Sequence, residues 1–123
     1  MKYILVVDDE IDILETIVDT LEIEFDENEV VIVKAINGID ALSKFDIQTS
    51  PFDLVVTDLN MPEMDGLEFT ENVKRLRSST PVIVFTGHGD AEELEKLTNL
   101  GVVAMIKKPY VEDLIEKVVT TLN

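Results

Sequence analysis

The sequence predicts an α/β fold: a doubly wound five-stranded parallel sheet with helices on both faces. Three observations predict it. Short apolar runs alternate with longer amphipathic ones about five times along the chain. The short runs are almost uniformly apolar and rich in β-branched residues, as strands are when helices cover both faces of a parallel sheet. The longer runs carry apolar residues at helical spacing, with acids on the opposite face.

Each element follows from its residues. Tyr3 to Val7 is too short for a helix and reads as the first strand. Ile11, Leu14, Ile17, Val18, Leu21 and Phe25 then mark one face of a helix. The acidic segment after it reads as a solvated loop, and Val30 to Ala35 as the second strand. Asn37-Gly38 opens a helix with Ile39, Leu42 and Phe45 expected inward. The Ser50-Pro51 break precedes a third strand, Leu54 to Thr57. Asp65 and Glu68 have capping-box spacing, and Leu67, Phe69 and Val73 follow. Pro81 to Phe85 is the fourth strand, and Asp90 with Glu93 opens another helix that Gly101 ends. Val102 to Ile106 is the fifth strand, and Val111 to Leu122 the last helix, with Leu114, Ile115, Val118 and Leu122 inward.

Length and composition bound the function. A chain of 123 residues is expected to form one domain over 1–123. At that size it can bury roughly two-thirds of its unfolded surface. It has no cysteine, so disulfides and thiolate metal sites are excluded. No signal pattern or membrane-length apolar stretch is visible, so a soluble, cytoplasmic domain without a membrane partner is expected. The formal charge of −16 argues against direct nucleic-acid binding, because a phosphate backbone would be repelled.

In sheets of this kind ligands bind beyond the carboxyl ends of the strands, where the strand order reverses. The strands here end on Asp8 and Asp9, Asp58, Thr86, and Lys107-Lys108. One rim therefore collects three carboxylates, a hydroxyl and an ammonium. Converging carboxylates raise one another's pKa, and one lysine does not balance three acids. A hard divalent cation does, and magnesium fits best because it keeps waters that yield to phosphate oxygens. Capping of the first helix explains the acids one at a time, but not the Thr and Lys on other strands. The set points to phosphoryl handling.

The segments "ILVVDDE", "DLVVTDLNMPEMDGLEF", "PVIVFTG" and "KKPY" resemble, in order, the diagnostic segments of response-regulator receiver domains, which have the flavodoxin-like receiver fold. The resemblance covers essentially the whole chain. It implies that Asp58 is the phosphoacceptor in a two-component phosphorelay. It implies that Asp8, Asp9, Asp58 and the Asn60 backbone carbonyl hold magnesium, for which manganese can substitute. Thr86 and Lys108 are implied to contact phosphoryl oxygens, with Gly87 beside them leaving room. A cis Lys108-Pro109 peptide is typical of the family. The implied donor is a sensor histidine kinase or phosphotransfer protein, and the recipient a downstream protein target or output domain. Asn60 and His88 fall where the family tunes the lifetime of the phosphorylated state. Such a domain is a self-phosphorylating and self-dephosphorylating switch rather than a turnover enzyme.

Two departures stand out. Receivers usually pair movement of the Thr with an aromatic on the fifth strand, and here that switch position is Met105, which has no ring or hydroxyl. The segment "LGVVAMIKKPY" also lacks the acidic pair of receivers that dimerise to activate DNA-binding domains. Two other classes compete on sequence. A flavodoxin-like electron carrier needs a Ser/Thr/Gly-rich phosphate loop where "DDEID" stands. A magnesium-dependent Asp-nucleophile phosphatase carries its nucleophile after the first strand in a D-x-D motif, whereas Asp58 is followed by Leu59-Asn60.

Overall fold

The computed structural model describes residues 1–123. Ten elements alternate strictly: β1 (Lys2–Val7), α1 (Ile11–Glu24), β2 (Val30–Ala35), α2 (Gly38–Ile47), β3 (Leu54–Thr57), α3 (Gly66–Leu76), β4 (Val82–Thr86), α4 (Ala91–Asn99), β5 (Ala104–Lys107) and α5 (Val111–Leu122). All pairings are parallel, in the order β2-β1-β3-β4-β5. The chain steps from β1 outward to β2, then returns to place β3 on the other side of β1. That reversal opens a crevice beyond the ends of β1 and β3.

Strand alternation divides the core in two. Ile4, Val6, Leu54, Val56, Ile83 and Phe85 face α1 and α5. Leu5, Val7, Val55, Val82 and Val84, one residue out of step, face α2, α3 and α4. A one-residue slip would turn each set to the wrong layer, so the two cores fix the register. The central strands β1, β3 and β4 are therefore apolar on both faces, while edge strand β5 exposes Met105 and Lys107.

Several boundaries differ from the sequence-based expectation. Strand β4 runs to Thr86 and starts after Pro81, and β5 starts at Ala104 rather than Val102. The ladder pairs Thr86 with Lys107, so hydrogen bonding carries both strands past their apolar runs. On α2 the buried residues are Gly38, Ala41 and Phe45, while Ile39 is exposed and Leu42 half-buried. Ile11 is likewise exposed at the start of α1. The loop after α1 is only partly solvated, because Phe25 packs against the α1/α5 core. At α3 the Asp65 carboxylate accepts from Glu68 N–H, but the reciprocal capping bond occurs only at α4, between Asp90 and Glu93. Gly101 follows α4 with φ +79°, the left-handed conformation expected after a helix end.

Candidate functional site

The sheet ladder continues one residue beyond three strands and so fixes the rim. Asp8 N–H donates to the Ala35 carbonyl at 3.2 Å, Asp58 N–H to Val7 at 3.0 Å, and Lys108 N–H to Thr86 at 3.0 Å. Backbone pairing thus brings the side chains of Asp8, Asp58 and Lys108 to one point. The Lys108-Pro109 peptide that follows is cis.

Lys108 Nζ lies 3.0 Å from Asp8 Oδ2, 3.1 Å from Glu10 Oε1 and 3.1 Å from Asp58 Oδ2. Asp8 and Asp58 are buried, at 1% and 4% exposure, whereas the Glu10 side chain is 59% exposed. Asp58 Oδ1 accepts from Leu59 N–H at 2.7 Å, which orients the carboxylate. Asp8 Oδ1 accepts from Glu10 N–H at 2.9 Å, which holds the start of α1. Asp9 completes the group: oxygens of Asp8, Asp9, Glu10 and Asp58 all lie within 4.8 Å of one another.

The electrostatics follow from burial and imbalance. Burial raises the Asp8 pKa above the usual carboxylate value, and the Asp58 charge adds to this, while Glu10 N–H and Lys108 oppose it. Burial by itself would lower the Lys108 pKa, but Asp8, Glu10 and Asp58 outweigh it and raise the ammonium's pKa. Lys108 therefore stays protonated. Three carboxylates on one ammonium, with Asp9 beside them, leave an excess of negative charge and hard oxygen donors that fits a magnesium-like cation.

A second group joins the loops after β3 and β4. The Thr86 hydroxyl donates to the His88 carbonyl at 3.1 Å. Asn60 Nδ2 donates to the same carbonyl at 2.6 Å and lies 3.5 Å from Thr86 Oγ1. His88 thus takes part through its backbone, and its side chain is not among the gathered groups. Met105 lines a hollow of about 310 Å³ with Thr86, His88, Gly89, Leu94 and Lys107. A methyl added at Gly87 would meet only Lys108 Cβ, at 3.8 Å, so no atom of this chain enforces a glycine there.

The loop carrying Asp58 is shaped by close packing. A methyl on Gly66 would fall 2.1 Å from the Asp58 carbonyl oxygen and 2.7 Å from Leu59 Cα. Gly66 N–H donates to the Leu59 carbonyl at 2.7 Å. The left-handed residue of the loop is Glu63, with φ 67°, so Gly66 serves contact rather than a turn. Sequence reasoning missed Glu10, since a third acid after Asp8-Asp9 reads as part of a helix cap. A larger hollow of about 780 Å³ lies at the opposite end of the sheet, between residues 22 and 32. It is acidic and gathers no ammonium or hydroxyl comparable to the rim.

Comparison with known proteins agrees with this fold. The family described as "Response regulator receiver domain" matches residues 4–120. The transcriptional regulatory protein FlgR of Helicobacter pylori is 37% identical over 112 residues, 91% of this chain and 27% of that protein. The sensor protein EvgS of Escherichia coli is 34% identical over 73% of this chain and 7% of its own length. The chain thus spans a minor part of these curated relatives. A CheY-like response regulator receiver domain protein from Methanospirillum hungatei superposes with a TM-score of 0.88 at 32% identity, covering 99% of this chain and 94% of that one. A receiver domain protein from Clostridium thermocellum gives 0.87 at 29% identity, covering 100% and 95%. The chain belongs to the response regulator receiver domain family.

Proposed function

We propose that the chain accepts a phosphoryl group on Asp58 from the phosphohistidine of a sensor histidine kinase or phosphotransfer protein. The resulting change in charge alters contacts with a downstream protein target or an output domain. The observation that carries this reading is the Asp58 carboxylate. It is buried at the crevice, oriented by Leu59 N–H and paired with Lys108.

In the transfer, an Asp58 oxygen attacks phosphorus as the P–N bond to the imidazole breaks. The bonding pair leaves with the imidazole, and the product is an acyl phosphate. A carboxylate attacks a charged phosphoryl group poorly unless that charge is offset and the approach is in line. Lys108 supplies one positive charge and donates to a phosphoryl oxygen. Thr86 donates to another oxygen once its hydroxyl leaves the His88 carbonyl. Gly87 keeps the approach open beside Lys108. Asp8, Asp9, Asp58 and the Asn60 carbonyl would hold magnesium, or manganese in its place. The ion, when bound, supplies further neutralisation of phosphoryl charge. Water attack on phosphorus later breaks the P–O bond, returning the Asp58 carboxylate and inorganic phosphate, so the domain resets itself rather than turning over a separate substrate. Asn60 and His88 border the path of that water, and Met105 occupies the position from which Thr86 movement is sensed. No helix is long and apolar enough to cross a membrane. A cytoplasmic location, where such kinases present their phosphohistidine, accords with this role.

The test is incubation with acetyl phosphate or phosphoramidate and magnesium, read by intact-protein mass. The wild type gains one phosphoryl group and Asp58→Asn gains none. An equal gain in both would overturn the assignment.

A further inference from the structure

The Lys108 ammonium donates to Glu10 Oε1 and Asp58 Oδ2, both at 3.1 Å, and lies 3.0 Å from Asp8 Oδ2 as an ion pair. The resting lysine, only 11% exposed, is therefore enclosed by three carboxylates. If Asp58 is the acceptor, as proposed above, Lys108 turns to a phosphoryl oxygen by loosening one of these partners. The three differ sharply in what release costs. Asp8 is almost fully buried, and freeing it leaves a buried carboxylate without its cation, which is strongly unfavourable. Asp58 is buried too and is itself the group being modified. Glu10 is 59% exposed at the rim, and water can solvate its carboxylate as soon as it lets go.

We infer that Glu10 is a positioning residue that holds one N–H of Lys108 in the resting state and is displaced when the phosphoryl group binds. It holds the ammonium over the crevice between Asp8 and Asp58, and it competes with the incoming phosphoryl oxygens for the same N–H. The contact stabilises the resting state and is absent when Lys108 binds the phosphoryl group. Glu10 therefore raises the barrier to phosphorylation by the strength of one exposed ion pair. No new bond is made or broken by Glu10 itself, since the step is an exchange of hydrogen-bond acceptors on Lys108.

Two variants test this. Glu10→Gln keeps the shape but removes the charge, and Glu10→Asp keeps the charge but draws it back from Lys108 by one methylene. Phosphorylation by phosphoramidate is timed by mass for each, alongside magnesium affinity by calorimetry and the unfolding midpoint without metal. Both variants are expected to be phosphorylated about two- to five-fold faster than wild type, the range for losing one exposed ion pair. Magnesium affinity should stay within about three-fold of wild type, since an exposed charge beside the ion acts weakly.

Rates equal to or slower than wild type in both variants would overturn the inference while leaving Asp58 as acceptor. So would Glu10→Asp behaving as wild type while Glu10→Gln is faster, because the effect would then be a field of charge rather than a contact. A loss of magnesium affinity beyond about ten-fold in Glu10→Gln would make Glu10 a metal ligand instead, which also overturns it. If the wild type takes up no phosphate at Asp58, the acceptor reading falls and this inference with it.

Discussion

Replacing Gly66 by alanine probes the packing that sets Asp58 in place. The added methyl would stand 2.1 Å from the Asp58 carbonyl oxygen, 2.7 Å from Leu59 Cα and 2.9 Å from the Asp58 carbonyl carbon. All three are main-chain atoms, so no side chain can swing aside, and relief requires moving the β3–α3 loop against α3. Overpacking of this kind costs ~1–3 kcal/mol. Better helix propensity returns at most ~1 kcal/mol at a helix end. A collision this short lies at the severe end of the range, so the net loss should be ~2 kcal/mol. That corresponds to roughly 6–10 °C in melting temperature for a domain of this size. The moved atoms belong to Asp58 itself, and a shift near 1 Å at a reacting group can slow chemistry on the order of 100-fold. Urea denaturation without metal measures the first effect, and phosphorylation by acetyl phosphate the second. Gly87→Ala is the control for the stability measurement alone, because its methyl meets only Lys108 Cβ at 3.8 Å. A Gly66→Ala midpoint within ~0.5 kcal/mol of wild type would refute the packing argument.

Burial raises the folded-state pKa of Asp8, so between its usual value and the raised one the native state binds more protons than the unfolded state. Stability from this group therefore falls as pH rises through that window, a tenfold difference in proton affinity between the two states being worth about 1.4 kcal/mol. Asp8→Asn should raise the metal-free unfolding midpoint at pH 7, with Glu10 and Asp58 still pairing Lys108, and a lowered midpoint would contradict it. Magnesium at millimolar levels should raise the wild-type melting temperature, and Asp9→Ala should abolish the increase. A wild type indifferent to the ion would count against the metal site. Asn60→Ala removes the amide that ties the β3–α3 loop to the His88 carbonyl, so amide exchange across residues 87–90 should quicken several-fold. Global stability should fall by no more than ~1 kcal/mol, and unchanged exchange would show that the loop is held by other contacts.

Most of the fold was legible because each strand is an apolar run and each helix an amphipathic one. The same signal explains the errors. Apolar character marks burial rather than hydrogen bonding, so the apolar runs stop at Phe85 and Ile106, one residue short of Thr86 and Lys107, which the ladder keeps in β4 and β5. It also chose Ile39 over the smaller Ala41 as the inward residue of α2, although only Ala41 is fully buried there. The rim was legible because polar residues interrupt apolar strands at their carboxyl ends. Glu10 was not, since its contact is with Lys108, which is distant in sequence. Nor could spacing reveal that Gly66 abuts the backbone of Asp58, a contact defined by main-chain atoms alone. Asp8's raised pKa owes more to burial than to the neighbouring carboxylate that the sequence brings to mind.

Everything proposed for the rim depends on Asp58 becoming an acyl phosphate. Borohydride reduces an acyl phosphate to an alcohol, so a phosphorylated Asp58 would be left as homoserine. Peptide mapping after phosphorylation and reduction should find homoserine in place of Asp58, within the peptide spanning the end of β3, and nowhere else. Homoserine in place of Asp8 or Asp9, or an unreduced Asp58 in protein that carries phosphate, would show that the phosphoryl group goes elsewhere.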